Sequence, residues 1–164
     1  MATLLELQGE GALLKLDPAL RPRQQEVRVL YASARLTGWI RDVLPGLGST
    51  WNIEVSPLEQ LDAFFAVYAS GETLWFGRSF KPLVHIHDGV WELKTPDLRV
   101  FGWFYRKDCF IGHVANHTEI VKKYRLYHGH AGEVARFRDS LALDEPKYVP
   151  GDDPNAVVSD WDYA

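Results

Sequence analysis

Residues 88–112 read DGVWELKTPDLRVFGWFYRKDCFIG, and the fold class turns on this stretch. It holds three strand-like runs, at 90–94, 98–105 and the start of 109–114, separated only by TPD and RKD. Linkers this short join antiparallel neighbours, because a parallel return needs a crossover of about a dozen residues or more. The stretch therefore predicts an antiparallel meander. In the middle run, Arg99, Phe101, Trp103 and Tyr105 alternate with Val100 and Phe104, so both faces are apolar. Such a strand is central and covered on at least part of both sides.

Upstream, SPLEQLDAFFAVYASG (56–71) carries a full set of helix signals. Ser56 is the N-cap, Pro57 takes the first helical position, Glu59 stands at the capping-box position and Gly71 supplies the stop. Leu58, Leu61, Phe65 and Tyr68 make its apolar stripe. Before it, VRVLYAS (27–33) alternates like a strand, with Arg28 on the face opposite Val27, Val29 and Tyr31. ARLTGWIRDVL (34–44) has helical spacing and ends at PGLG, and WNIEV (51–55) reads as a short strand. A further strand is expected at 83–87, and a last helix in HAGEVARFRDSLAL (130–143). The expected organisation is an N-terminal extension over 1–25, one α+β domain over 26–143 and an acidic, irregular tail over 144–164.

Composition narrows the function classes. The chain has 164 residues, 46% of them hydrophobic, so it can build a core. It offers no apolar run of the roughly 18 residues a membrane span needs, and its N-terminus lacks a basic leader. Cys109 is the single cysteine, which excludes an internal disulfide and fits a reducing cytoplasm. The net charge of −4 hides an asymmetry. Residues 78–125 hold nine basic against five acidic side chains, whereas the tail holds six acids and Lys147 alone.

No phosphate loop, dinucleotide fingerprint or nucleophile elbow is present. HIHDG (85–89) sets two histidines on one strand face, but zinc needs a third ligand, so ordinary edge-strand histidines are the reading and no metal is expected. His113, His117, His128 and His130 cluster between the last strand and the last helix, where a histidine can serve as acid or base. Lys122, Lys123 and Arg125, with Tyr105, Tyr124 and Tyr127, read either as a surface that neutralises phosphates and stacks bases or as plain solvated charge. Arg106 and Lys107 read equally as RNA contacts or as turn solubilisers.

FGRSFKPL, DGVWELKTPDLRVFGWF and IVKKYRLYHGHAGEVARFRDSL, in that order, resemble the RelE/HigB group of bacterial toxins, above all its phage-derived members. The resemblance spans about 115 residues and rests chiefly on Gly77-Arg78, Trp91–Lys94, Arg99–Phe101 and Lys122-Lys123. It implies a RelE/ParE-like fold: an antiparallel, mostly meander sheet with two N-terminal helices and a C-terminal helix. It also implies a cytoplasmic toxin of a type II toxin–antitoxin system, a ribosome-dependent mRNA interferase with no cofactor, whose partners are the ribosome, mRNA and a helix-turn-helix antitoxin. Under that resemblance Arg99, Lys122, Lys123 and His128 carry catalysis, and Lys94, Tyr105, Arg106, Lys107 and Arg125 bind RNA. A non-catalytic interaction protein on the same fold and a ParE-like toxin acting on gyrase are the alternatives. The link GHVANHTEIVKK, the N-terminal extension and the acidic tail depart from the family's pattern.

Overall fold

The strongest local signals form as written. In the computed structural model, which describes residues 1–51 and 53–164, Ser56 Oγ accepts from the Glu59 amide and Pro57 opens a helix running Pro57–Ser70. Gly71 closes it at φ 83°, a left-handed conformation that glycine adopts without a Cβ penalty. The meander also forms, as Val90–Lys94, Leu98–Arg106 and Cys109–His117. Lys94 faces Arg99 across the first hairpin, and Phe101 faces Val114 across the second.

In chain order the elements are α1 (Leu4–Gly9), β1 (Leu13–Leu16), β2 (Val29–Ser33), α2 (Ala34–Asp42), α3 (Pro57–Ser70), β3 (Leu74–Phe76), β4 (Phe80–Pro82), β5 (Val90–Lys94), β6 (Leu98–Arg106), β7 (Cys109–His117), α4 (Thr118–Lys123), α5 (Tyr127–Ser140), α6 (Pro154–Val157) and β8 (Trp161–Tyr163). All eight strands share one sheet, in the order β1-β2-β7-β6-β5-β4-β3-β8.

This sheet corrects the expected RelE/ParE-like fold. It is mixed: β2 runs parallel to β7, β3 parallel to β4, and β8 parallel to β3. Six α-helices surround it among the described residues, where the expected small antiparallel sheet carried three. The reason is chain connectivity. The long excursion through α2 and α3 lets the chain return to the β2 edge in the parallel sense, which no tight turn allows. The extension adds β1 at one edge, and the 144–164 segment, expected to be irregular, adds α6 and then β8 at the other.

Two cores follow from a sheet covered on both faces. On one, Leu36 of α2 and Leu61, Phe65 and Tyr68 of α3 pack on Trp91, Leu93, Val100 and Phe104. On the other, Val134 of α5 and Leu141 just after it pack with Leu7 of α1 on Phe101, Trp103 and Ile111. Every residue of β6 except Arg106 is buried, as its two apolar faces require. Each such large side chain taken from water contributes about 1.5–3 kcal/mol.

Several local expectations shift. The strand expected at 83–87 does not form; β4 ends at Pro82, and the Ile86 and His87 amides both donate to Leu83 O in a turn. His85 and His87 are therefore exposed turn residues and share no strand face. The strand expected at 51–55 includes Asn52, which lies outside the described residues; Trp51 sits in a turn and Glu54 and Val55 in a bend. Arg28, read as part of a strand on the face opposite Val29 and Tyr31, lies just ahead of β2 and is fully buried. Its guanidinium donates to Tyr68 O and Asp160 O, both at 2.9 Å, and its Nε lies 3.4 Å from Asp108.

Candidate nucleic-acid interface

The β5–β6 turn builds one wall of a large cleft. Thr95 exchanges hydrogen bonds with Leu98: its amide donates to Leu98 O, and its hydroxyl accepts from the Leu98 amide, each at 3.0 Å. Arg99 folds back over this turn, and its Nη1 donates to Thr95 O at 2.7 Å and Leu98 O at 2.9 Å. Among the described residues, that leaves Nε buried without a partner. Opposite it in register, Lys94 donates from Nζ to Gly77 O at 2.9 Å, which ties the β3–β4 loop and its Arg78 to the same place. Gln60 and Phe64 of α3 and Trp75 of β3 complete a cleft of about 690 Å³.

Asp97 fixes the turn from behind. It is fully buried, and its carboxylate accepts from Gln60 Nε2 at 2.6 Å and from the Thr50 amide and hydroxyl. Burial pushes this carboxyl up, but hydrogen bonds from Ser49, Gln60 and Thr50 together hold it below the ordinary carboxylate value. The Asp97 amide donates back to Gln60 Oε1 at 3.0 Å, so α3, the loop at Ser49 and Thr50, and the turn move as one unit. A phosphate site needs such a rigid frame, because its cations repel one another when empty.

That repulsion is visible at Lys94. Its ammonium is pulled below its ordinary value by burial first, then by Arg99, Lys81 and Lys122; only Glu92 opposes them. Among the described residues, Arg78, Lys81, Lys94, Arg99 and Lys122 make no ion pair within 4.0 Å. Glu92, opposite Lys81 in register, is only 2% exposed. Burial raises its carboxyl above the ordinary range against the pull of Arg99, Lys94, Lys81 and Tyr127, and among the described residues its Oε2 has no hydrogen-bond partner. Helix α5 begins beside it at Tyr127 with no side-chain cap, adding the positive end of its dipole. The end of the sheet bearing Lys94 and Arg99 is thus a cluster of cations, with the buried Glu92 carboxyl as their nearest counter-charge.

The sequence-predicted site residues divide into two groups. Lys94, Arg99 and Lys122 come together at this end. Lys123 lies beside Lys122 in the last turn of α4, with Nζ 5.4 Å from the centre of the Tyr124 ring. Lys122 and Lys123 line a neighbouring cavity of about 370 Å³ together with Trp51. Tyr105, Arg106 and Lys107 stand at the opposite end of β6, roughly 20 Å from Arg99 at about 3.3 Å per residue. There the tail occupies Tyr105 and Arg106, and Lys107 is exposed. Tyr105 Oη donates to Asp144 O at 3.0 Å, and Arg106 stacks 4.0 Å over the Tyr105 ring while donating to Pro146 O. Arg125 is exposed between α4 and α5 at φ 53°.

The histidines also separate. His128 is exposed in the first turn of α5 and lines no part of the cleft. His113 is a core residue, stacked parallel to Phe137 at 4.1 Å with Nδ1 2.7 Å from Ser33 Oγ. Burial, with help from Arg35, pushes it down to about 4. His130 is shifted down for the same reason and packs against Phe101, and His117 caps α4 by accepting from the Glu119 amide. Sequence reasoning missed Arg78, Lys81, Gln60, Glu92 and Trp75 as members of the site. Of these only Glu92 carried a usable signal, since it shares a strand face with Lys94.

The described residues include no helix long and apolar enough to cross a membrane. Compared with protein-family models, with curated proteins and with solved structures, the chain matches none.

Proposed function

We propose that this protein binds RNA with the cleft at the Lys94–Arg99 end of its sheet and cleaves it, acting as the mRNA interferase of a type II toxin–antitoxin pair. One observation carries the reading: Arg78, Lys94 and Arg99 line one rigidly framed cleft, Lys81 and Lys122 lie near enough to repel Lys94, and among the described residues none of the five has a carboxylate within ion-pair distance. Clustered, partly desolvated like charges are costly in the free protein, and a bound polyanion relieves that cost. Cleavage by the neighbouring 2′-hydroxyl requires three things: cations on the phosphate, a base for that hydroxyl and an acid for the leaving 5′-oxygen. Arg78 and Arg99 supply the first. Lys94, whose ammonium releases its proton more readily than usual, donates it to the leaving 5′-oxygen, and solvent in the open cleft takes the proton of the 2′-hydroxyl. Lys123 and His128, further from the cleft, have supporting roles at most. In this reading the protein works in the cytoplasm at the ribosome and is silenced by a helix-turn-helix antitoxin that covers the cationic end.

The test is inducible expression in a bacterium with growth, translation and mRNA 5′-end mapping as readouts. Wild-type chain should arrest growth and leave new 5′ ends within translated messages, and Arg99→Gln should do neither while melting normally. RNA binding without new ends would replace the enzyme by a non-catalytic RNA-binding protein. Growth arrest with intact messages would point to a different target such as gyrase.

A further inference from the structure

Two features of the cationic end do not follow from phosphate binding alone. Trp75, 40% exposed, lines the large cleft beside Arg78 and Lys94. Trp51, 61% exposed, lines the neighbouring cavity with Lys122, Lys123 and Glu119. A single hydrogen bond at the β5–β6 turn links a residue of one cavity to a residue of the other. Pro96 lines the first, and Trp51 Nε1 donates to Pro96 O at 3.2 Å. That bond pins one edge of the indole to the turn and leaves its faces open. An indole this exposed loses hydrophobic stabilisation, and two of them flanking one cluster of cations form an alternation of charge and flat aromatic surface.

We infer that the two cavities are one strand-binding track, in which unpaired bases stack on Trp75 and Trp51 while successive phosphates lie on Arg78, Lys94 and Arg99 and then on Lys122 and Lys123. This rests on the RNA-binding reading and deepens it by naming the form of the ligand: a single strand with exposed base faces. A duplex offers the same phosphates, but its bases are stacked on one another and unavailable to a tryptophan. No carboxylate lines the large cleft, and Glu119 is the only one on the second cavity among the described residues, so the charge of the track suits a polyanion along its length. The separate pinning of Trp51, through Pro96 and the Asp97-anchored Thr50, presents a preformed stacking platform with little ordering left to do on binding.

Tryptophan fluorescence of the full chain reads this directly. Titration with a twelve-nucleotide oligouridylate should quench emission, while the same length of RNA duplex and an inorganic polyphosphate of equal charge should bind more weakly and quench little. Trp75→Ala and Trp51→Ala should each weaken oligouridylate binding about tenfold, and Trp→Tyr should restore most of it, because a ring still stacks. Both sites are exposed, so thermal melting of the variants should match wild type. If both alanine variants bind oligouridylate like wild type while Lys94→Gln and Arg99→Gln do not, the stacking track is wrong and the phosphate cleft stands. Equal affinity for duplex and single strand also overturns the track. If wild type binds polyphosphate but no RNA, or binds none of the three, the RNA-binding reading falls and the track with it.

Discussion

Substituting Lys94 by glutamine separates a binding lysine from a structural one. In the free protein Lys94 is half-buried and repelled by Arg99, Lys81 and Lys122, and among the described residues its ammonium makes one hydrogen bond, 2.9 Å from Nζ to Gly77 O. A charged hydrogen bond is worth on the order of 1.5–3 kcal/mol, but glutamine keeps a donor there and removes a desolvated like charge. The two effects oppose, so stability in urea should change by no more than about 1 kcal/mol. Binding should change by much more. With five cations contributing, the logarithm of affinity for single-stranded RNA should fall against the logarithm of salt with a slope of about −3.5. That corresponds to roughly a hundredfold loss between 50 and 200 mM salt. Lys94→Gln should weaken binding at low salt and flatten the slope to about −2.8. Fluorescence or filter-binding titrations across salt measure both numbers. A variant destabilised by more than about 2 kcal/mol with an unchanged slope would make Lys94 a tether for the β3–β4 loop and refute the reasoning.

The remaining predictions concern the frame. Arg28→Met should cost about 3–5 kcal/mol in urea unfolding, since it strands the Tyr68 and Asp160 carbonyls and Asp108; a loss under about 1 kcal/mol would contradict the geometry. For the same reason Arg28 cannot serve as a neutral control in growth assays, and exposed Arg23 is the better choice. His113, pushed down to about 4 by burial, refuses a proton that the unfolded chain accepts near 6.5. Stability should therefore fall as pH drops from about 6.5 towards 4, by up to about 3 kcal/mol, and His113→Gln should flatten that dependence. Deleting residues 144–164 should lower the melting temperature sharply without tightening RNA binding. The segment buries Val157 and Val158 to 1% and supplies β8, and its contacts with Tyr105 and Arg106 lie at the far end of β6 from the cleft. A truncated chain that melts like wild type would show the tail to be dispensable.

Legibility of the site followed the range of the interactions that build it. Lys94 and Arg99 were readable as a pair because a three-residue turn joins their strands, and their meeting at one rim needs nothing beyond the hairpin. Lys122 joined them only in space, through α4, and Arg106 left them for the same reason. Six residues of extended strand carry it to the other rim, a separation that a list of basic residues conceals. Arg78, Gln60 and Trp75 were invisible because each reaches the cleft from an element that packs there through long-range contacts.

The chain by itself determined what short-range physics controls. The Ser56 cap, the Gly71 stop, the β5–β6–β7 meander and the double-sided burial of β6 all rest on contacts between near neighbours in sequence or on the period of two along a strand. Tertiary structure alone decided that β2 lies parallel to β7, that β8 closes the far edge beside β3, and that Arg28 is the buried link among Tyr68, Asp108 and Asp160. Those choices depend on which strand edges remain unpaired once the meander exists. An unpaired edge recruits whatever extended segment the chain can bring to it, however distant in sequence.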